Sequence, residues 1–230
     1  MQKDISLLEK YLGVHFKNEQ LLRQALVHRS YINEHSDFAL DHNERLEFLG
    51  DAVLELIVTE YLYRHFPNPE GELTNWRASL VNSQMLSEVA SSLRVSDFLY
   101  LSRGESKDSN GKARQGILAN ALEAIIGSLY LDQGTKAAKK FIDSHLLVNL
   151  ARILREKSYR DPKSRFQEAA QEKLGLTPTY RLLEERGPDH DKYFKIGVYL
   201  NEELVAEGEG SSKQEAQVMA AEQALKVKSW

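Results

Sequence analysis

Cysteine is absent from all 230 residues. That removes a disulfide framework, a thiolate nucleophile and any thiolate zinc site, and leaves oxygen or imidazole as the ligands for a metal. Long apolar runs are absent too. None approaches the roughly 18–20 residues of a membrane helix, and the opening MQKDISLLEKYLGVHF carries a charge every few residues where a secretory leader would be continuous. No membrane partner and a cytoplasmic location are therefore expected. Thirteen glycines and five prolines are too few for collagen-like or linker sequence. An excess of basic charge is also missing: 30 Lys and Arg face 34 Asp and Glu, a net charge of −4, which taken alone argues against a nucleic-acid binder. What remains is an ordinary globular balance, 42% hydrophobic and 28% charged, in a chain long enough for one large domain or two unequal ones.

The hydrophobic period changes late in the chain, from helical to alternating and back. NEQLLRQALVH (18–28) places Leu21, Leu22, Ala25 and Leu26 at helical spacing. The stretch from Asp41 to Phe66 carries Leu46, Leu49, Val53, Leu56, Ile57 and Tyr61 before Pro67 and Pro69 stop it, and Glu72 to Leu93 repeats the pattern as a further helix. Arg103 to Arg114 is polar and punctuated by Gly104 and Gly111, which predicts an exposed loop. Six residues separate the two glycines, and Ala113 follows Lys112, so this is no phosphate loop and no nucleotide cofactor is expected. Ile117 to Leu131 is densely apolar and leads through Gly134 into another helix ending near Glu156. After the charged stretch REKSYRDPKS (155–164), TYRLLEE (179–185), YFKIGVYL (193–200) and ELVAEGE (203–209) read as three short strands between helical patterns at Ser164–Leu174 and Ser212–Val227. The expected architecture is an all-α domain over residues 1–155, a linker at 156–161 and a small α+β domain of order α-β-β-β-α over 162–230. Residues 160–230 hold 11 Lys and Arg against 13 Asp and Glu, so neither part is basic and any phosphate-binding surface must be a local arrangement on one face.

HNERLEFLGDAVL (42–54) sets Glu44, Glu47 and Asp51 at i, i+3 and i+7, one face of a helix. Like charges at that spacing repel by a few tenths of a kcal/mol per pair. A hard divalent cation such as Mg²⁺ would offset the repulsion; the plainer reading is a solvated acidic face. Leu46, Phe48, Leu49 and Val53 on the other faces favour carboxylates that line a cleft. Glu123, in the middle of a still more apolar helix, is costly to bury unpaired, and Asn120 one turn earlier shares its face. Glu47, Asp51, Asn120 and Glu123 thus make a candidate oxygen-rich metal pocket from two helices. The seven His lack ligand spacing, and no Ser-His-Asp or HExxH pattern occurs. Acid-lined Mg²⁺ sites serve mostly phosphoryl transfer, so phosphodiester hydrolysis is the expected chemistry.

The same segment closely resembles the signature of ribonuclease III. ALVHRSYINE (25–34), EGELTNWRASLVNSQML (70–86) and ILANALEAIIGSLYLDQG (117–134) resemble that family's other blocks in order, and DPKSRFQEAAQEKLGL through GSSKQEAQVMAAEQAL is similar to its double-stranded RNA-binding domain. The resemblance implies a Mg²⁺-dependent homodimeric endoribonuclease, with Mn²⁺ a possible substitute. It would cleave duplex RNA such as rRNA precursors and other structured transcripts to 5′ phosphates and short 3′ overhangs. It places Glu47, Asp51 and Glu123 at metal-binding carboxylates, Glu44 and Glu70 at two further cleft acids, and Phe48 at an aromatic that inserts into the partner subunit. Asn120 stands where the family commonly has an Asp. An amide can coordinate through oxygen but brings no charge, so weaker ion binding is expected, and the alternative reading is a double-stranded RNA-binding protein whose cleavage Asn120 impairs. For the small domain the resemblance implies RNA contacts from Ser164, Gln167, Glu168, His190, Ser212 and Lys213. Gln214 and Gln217 stand where basic or polar residues are common, which implies weaker and less salt-dependent docking.

Overall fold

A computed structural model describes residues 3–107, 111–156, 161–188 and 192–230. The chain divides into two compact units, Met1–Tyr159 and Arg160–Trp230. The first is helical: α1 (Ile5–Leu12), α2 (Glu19–Ala25), α3 (Arg29–Glu34), α4 (Glu44–His65), α5 (Glu70–Val81), α6 (Ser83–Ser92), α7 (Arg103–Lys107), α8 (Lys112–Gln133), α9 (Thr135–His145) and α10 (Leu150–Glu156), with 3₁₀ turns at Val95–Phe98 and Leu147–Asn149. The second follows the expected order, α11 (Pro162–Leu174), β1 (Thr179–Arg186), β2 (Tyr193–Leu200), β3 (Glu203–Gly210) and α12 (Lys213–Lys228). Its sheet is antiparallel in the order β1-β2-β3. Among the described residues no helix is long and apolar enough to cross a membrane.

Several boundaries differ from the sequence-based expectation, and local hydrogen bonds explain them. Glu72 to Leu93 is two helices. At Asn82 the side-chain oxygen caps the Met85 N–H at 2.9 Å while its Nδ2 donates to the carbonyls of Ala78 (3.1 Å) and Ser79 (3.2 Å). One amide thus ends α5 and starts α6, the competition by which Asn disfavours helix interiors. The polar stretch from Arg103 holds the short helix α7, started by the Ser102 hydroxyl accepting from the Glu105 N–H, and α8 begins at Lys112, five residues before its apolar pattern. The helix expected to run from Gly134 to near Glu156 is interrupted by the second 3₁₀ turn. Two short helices, α1 and α3, lie outside the expected set, although α1 buries Ile5, Leu8 and Leu12 at helical spacing.

The core of the first unit is built on the crossing of α4 and α8. From α4 it takes Leu46, Leu54, Ile57, Val58 and Leu62, and from α8 Leu122, Ile125, Ile126 and Leu129. The backbones meet at two glycines. A Cβ on Gly50 would collide with the carbonyl oxygen of Glu123, and one on Gly127 with that of Leu46. Close approach, not backbone freedom, requires glycine at both places. In the second unit Phe166 and Ala170 of α11 and Ala220, Ala221 and Ala224 of α12 cover Val198, Leu200 and Val205 of the sheet. Asp161 caps α11 by accepting from the Ser164 N–H, with Pro162 in its first turn.

Replacing Gly50 by Ala should push α4 and α8 apart and destabilise the first unit by about 1–3 kcal/mol; urea unfolding with a helical CD signal measures it. A midpoint unchanged from the parent chain would mean that the crossing is looser than described.

Candidate functional site

The start of α4 is tied down by the residue before it. Asn43 is buried, its Nδ2 donates to the Ala25 carbonyl at 3.1 Å, and its N–H donates to the Val27 carbonyl at 2.9 Å. The first turn then carries Glu44 and Glu47 at the positive end of the helix dipole, where carboxylates are favoured. One turn on, Asp51 is exposed, while Glu47 and Glu123 are half-buried. Since Gly50 rests against the Glu123 backbone, the crossing itself brings the acids of α4 beside that of α8.

Electrostatics record how near they are. Burial, then the charge of Asp51, then that of Glu47 push the Glu123 carboxyl up to about 7. Glu47 is raised by burial and by Glu44 and Asp51, against a hydrogen bond from Asn120 that favours its ionised form. Among the described residues no Lys or Arg forms an ion pair with Glu47, Asp51 or Glu123, so their negative charge lacks compensation from a neighbouring cation. Nor do three His, Asp or Glu side chains among the described residues already stand as a metal-ligand cluster. The helices bring the four candidates Glu47, Asp51, Asn120 and Glu123 together without closing their side chains on one point. Asn120 stands beside Glu47 and favours its ionised form, an influence that an ionised Asp in its place would not exert.

Glu44 and Glu70 sit differently. Glu44 pairs with Arg29 at 3.1 Å and faces His42 at 3.7 Å, so this part of the acidic stripe is neutralised. Arg29 and His42 are the two partners of this acid that residue pattern alone does not reveal. Their signal was proximity to Glu44, which the sequence shows for His42 and hides for Arg29. Glu70, at the start of α5, accepts from the Thr74 hydroxyl at 3.1 Å. It lines a cavity of about 440 Å³ between α4 and α5 with Leu62, Tyr63, Leu73 and Arg77, and it is not among the charges that shift Glu47 or Glu123. Phe48 does not join the core: it is 81% exposed, on one stripe of α4 with Leu56 at 66% and Tyr63 at 79%.

In the second unit Ser212 is the N-cap of α12, its hydroxyl accepting from the Glu215 N–H at 3.1 Å. Lys213 reaches Glu185 at 3.4 Å and lies over the Phe194 ring. Ser164 bonds back to Asp161, and Gln167 and Glu168 are exposed on α11. His190 lies outside the described residues.

Comparison with known proteins bears on both units. Residues 18–150 match a family model described as ribonuclease-III-like, and residues 162–228 match the double-stranded RNA binding motif. Ribonuclease 3 of Enterococcus faecalis is 44% identical over 228 residues, covering 98% of this chain and 97% of that protein. Ribonuclease 3 of Borreliella burgdorferi is 41% identical over 227 residues, covering 98% and 92%. Among solved structures, the nuclease domain of ribonuclease III from Campylobacter jejuni is 41% identical with a TM-score of 0.57. It covers 64% of this chain and 98% of that one, and is described as having a flexible region involved in dimer formation. A helical unit with acids gathered at a helix crossing, joined to an α-β-β-β-α unit, and both matched over nearly their whole length, means that this chain belongs to the ribonuclease III family of endoribonucleases.

Proposed function

We propose that the protein hydrolyses double-stranded RNA with the help of Mg²⁺ held by Glu47, Asp51 and Glu123, with Asn120 contributing its side-chain oxygen or a bridging water. The observation that carries this is the uncompensated charge at the α4–α8 crossing, which holds a half-buried Glu123 near 7. A pocket of oxygen donors with its acids mutually repelled fits a hard divalent cation, which lowers every one of those repulsions at once. Rotation about side-chain torsions, not movement of helices, would bring the carboxylates onto a shared ion. When bound, the ion supplies an activated water and charge stabilisation for in-line attack on a phosphodiester. Glu123 and Asp51 would orient that centre from two directions, and Asn120 favours the ionised form of Glu47 beside it. Glu44, through Arg29, and Glu70 border the cleft; Mn²⁺ would satisfy the same oxygen donors.

The active form in this reading is a homodimer joined along α4. Phe48, Leu56 and Tyr63 are too large and too exposed for a face that meets only water, and a dimer places two centres along one duplex. Each centre would cut one strand, leaving 5′ phosphates and short 3′ overhangs. The second unit holds the duplex, with Gln167 and Glu168 on one minor groove, Ser212 and Lys213 near phosphates, and His190 in the next groove. Such a domain reads A-form shape over ~16 bp, so an acidic chain is no obstacle. Its substrates are structured transcripts such as rRNA precursors.

Glu123→Gln should abolish cleavage of a long RNA duplex in Mg²⁺ while leaving its binding, measured in EDTA, nearly intact; retained cleavage would sink the assignment. The same change has a signature independent of activity. An acid whose pKa is raised on folding stabilises the folded state below its ordinary value of 4.5, and that contribution is lost as pH rises to about 7. Glu123→Gln should accordingly raise the unfolding free energy of metal-free protein at pH 8 by about 1–3 kcal/mol and leave it unchanged near pH 4.

Asn120→Asp adds the missing charge beside Glu47. Its Mg²⁺ requirement should fall severalfold in a cleavage titration, and no change would remove Asn120 from the ion's surroundings. Binding without cleavage by the parent chain, rescued by Asn120→Asp, would favour the impaired-enzyme reading. Phe48→Asp should shift the protein from dimer to monomer in sedimentation equilibrium; a dimer that survives it is joined elsewhere.

A further inference from the structure

Ten Lys and Arg lie among the described residues of the second unit, and most are already neutralised. Arg181, Arg186, Lys192, Lys195, Lys213 and Lys228 each form an ion pair with a carboxylate of the same unit. A duplex phosphate must displace or share such a partner, so each of these cations offers less than its formal charge. Lys213 is among them, since Glu185 stands 3.4 Å from its ammonium. The start of α12 is further occupied by Glu215, whose carboxylate accepts from the N–H (2.9 Å) and hydroxyl (2.6 Å) of Ser211. A carboxylate there opposes a phosphate at the same helix end.

Lys163 is held in another way. Its Nζ donates to the Oε1 of Gln217 at 2.7 Å and lies 5.3 Å from the centre of the Tyr180 ring. Both partners are uncharged, so the ammonium is fixed in direction and keeps its full positive charge. Its position is also unlike that of the remaining cations. Lys163 is in the first turn of α11 and Gln217 near the start of α12, which brings the ammonium to the positive ends of two helices of 13 and 16 residues. Lys173 is spent on the Trp230 ring at the other end of α11. Lys226 sits in the last turn of α12. Arg165 also lies near the start of α11, and among the described residues no neutral side chain fixes it as Gln217 fixes Lys163. The nearest acid along the chain, Asp161, already accepts from the N–H and hydroxyl of Ser164.

We infer that Lys163, positioned by Gln217, is the principal phosphate contact of this RNA-binding unit, in the role that basic residues on α12 would otherwise fill. The inference rests on the proposed reading of the unit as a duplex-RNA binder. It also assigns a purpose to Gln217: a neutral amide at this point aims a lysine on the neighbouring helix, where a basic residue would repel it and an acid would cancel it.

The test measures affinity of the full chain for an RNA duplex of about 20 bp, in EDTA and over a range of KCl concentrations. Lys163→Gln should weaken binding roughly tenfold at moderate salt and reduce the slope of log K against log salt by about one. Lys213→Gln should cost about twofold or less, because Glu185 already offsets that charge. The decisive variant is Gln217→Glu, which leaves Lys163 in place with a carboxylate as its partner. It should weaken the duplex complex as Lys163→Gln does, while the thermal midpoint of the protein holds or rises. A lysine that merely braces α11 against α12 would lose nothing in Gln217→Glu, and unchanged affinity and salt slope there would overturn the inference, whatever the stability of Lys163→Gln. Failure of the unsubstituted chain to bind any duplex would overturn the reading of the whole unit, which is a different result.

Discussion

Two helices in van der Waals contact at their backbones hold the candidate active site together. The crossing of α4 and α8 at Gly50 and Gly127 leaves no room for a Cβ on either side, and that closeness lets an acid on one helix act electrically on acids of the other. A separation larger by one methyl group would move Glu123 away from Asp51 and Glu47 and let water between them, which would relax the acidity shift that marks the site. The buried Leu, Ile and Val side chains of both helices stabilise the crossing; the glycines set its distance.

The site is therefore a place where stability is given up locally. Glu123 is half-buried beside two other acids, and Glu47 is raised as well. Asn120 answers part of this repulsion by favouring the ionised form of Glu47, and Arg29 answers another part by pairing with Glu44. What is left unanswered is concentrated between Glu47, Asp51 and Glu123, where a cation has most to offer. In the second unit charge is handled in the opposite way. Its sheet and loop cations are nearly all matched with carboxylates, and this accounts for a domain that is net negative and yet built to the pattern of the double-stranded RNA binding motif.

Much of the fold was legible from periodicity. Helical spacing located α4, α8, α11 and α12, and alternation located the three strands to within a residue or two. Misreadings came from single side chains with local hydrogen-bonding power. Asn82 divides one apparent helix into two, and Ser102 starts a helix inside a polar stretch. Neither changes the apolar count by which a period is recognised. The glycines at 50 and 127 lie inside helical patterns, and nothing in their spacing says that they face each other.

The order of residues alone determined which acids share a helix face, that Glu123 lies within an apolar helix, and that the chain changes from helical to alternating pattern near residue 179. These follow from fixed backbone periods and need no partner element. Only tertiary structure decided which acids meet across helices, that Glu44 is paired with Arg29 while Glu70 turns to Thr74, that Phe48 stands in solvent, and that Lys163 keeps an uncharged partner. Those outcomes depend on distances between segments far apart in the chain. Charge and burial act through such distances, whatever the separation along the sequence.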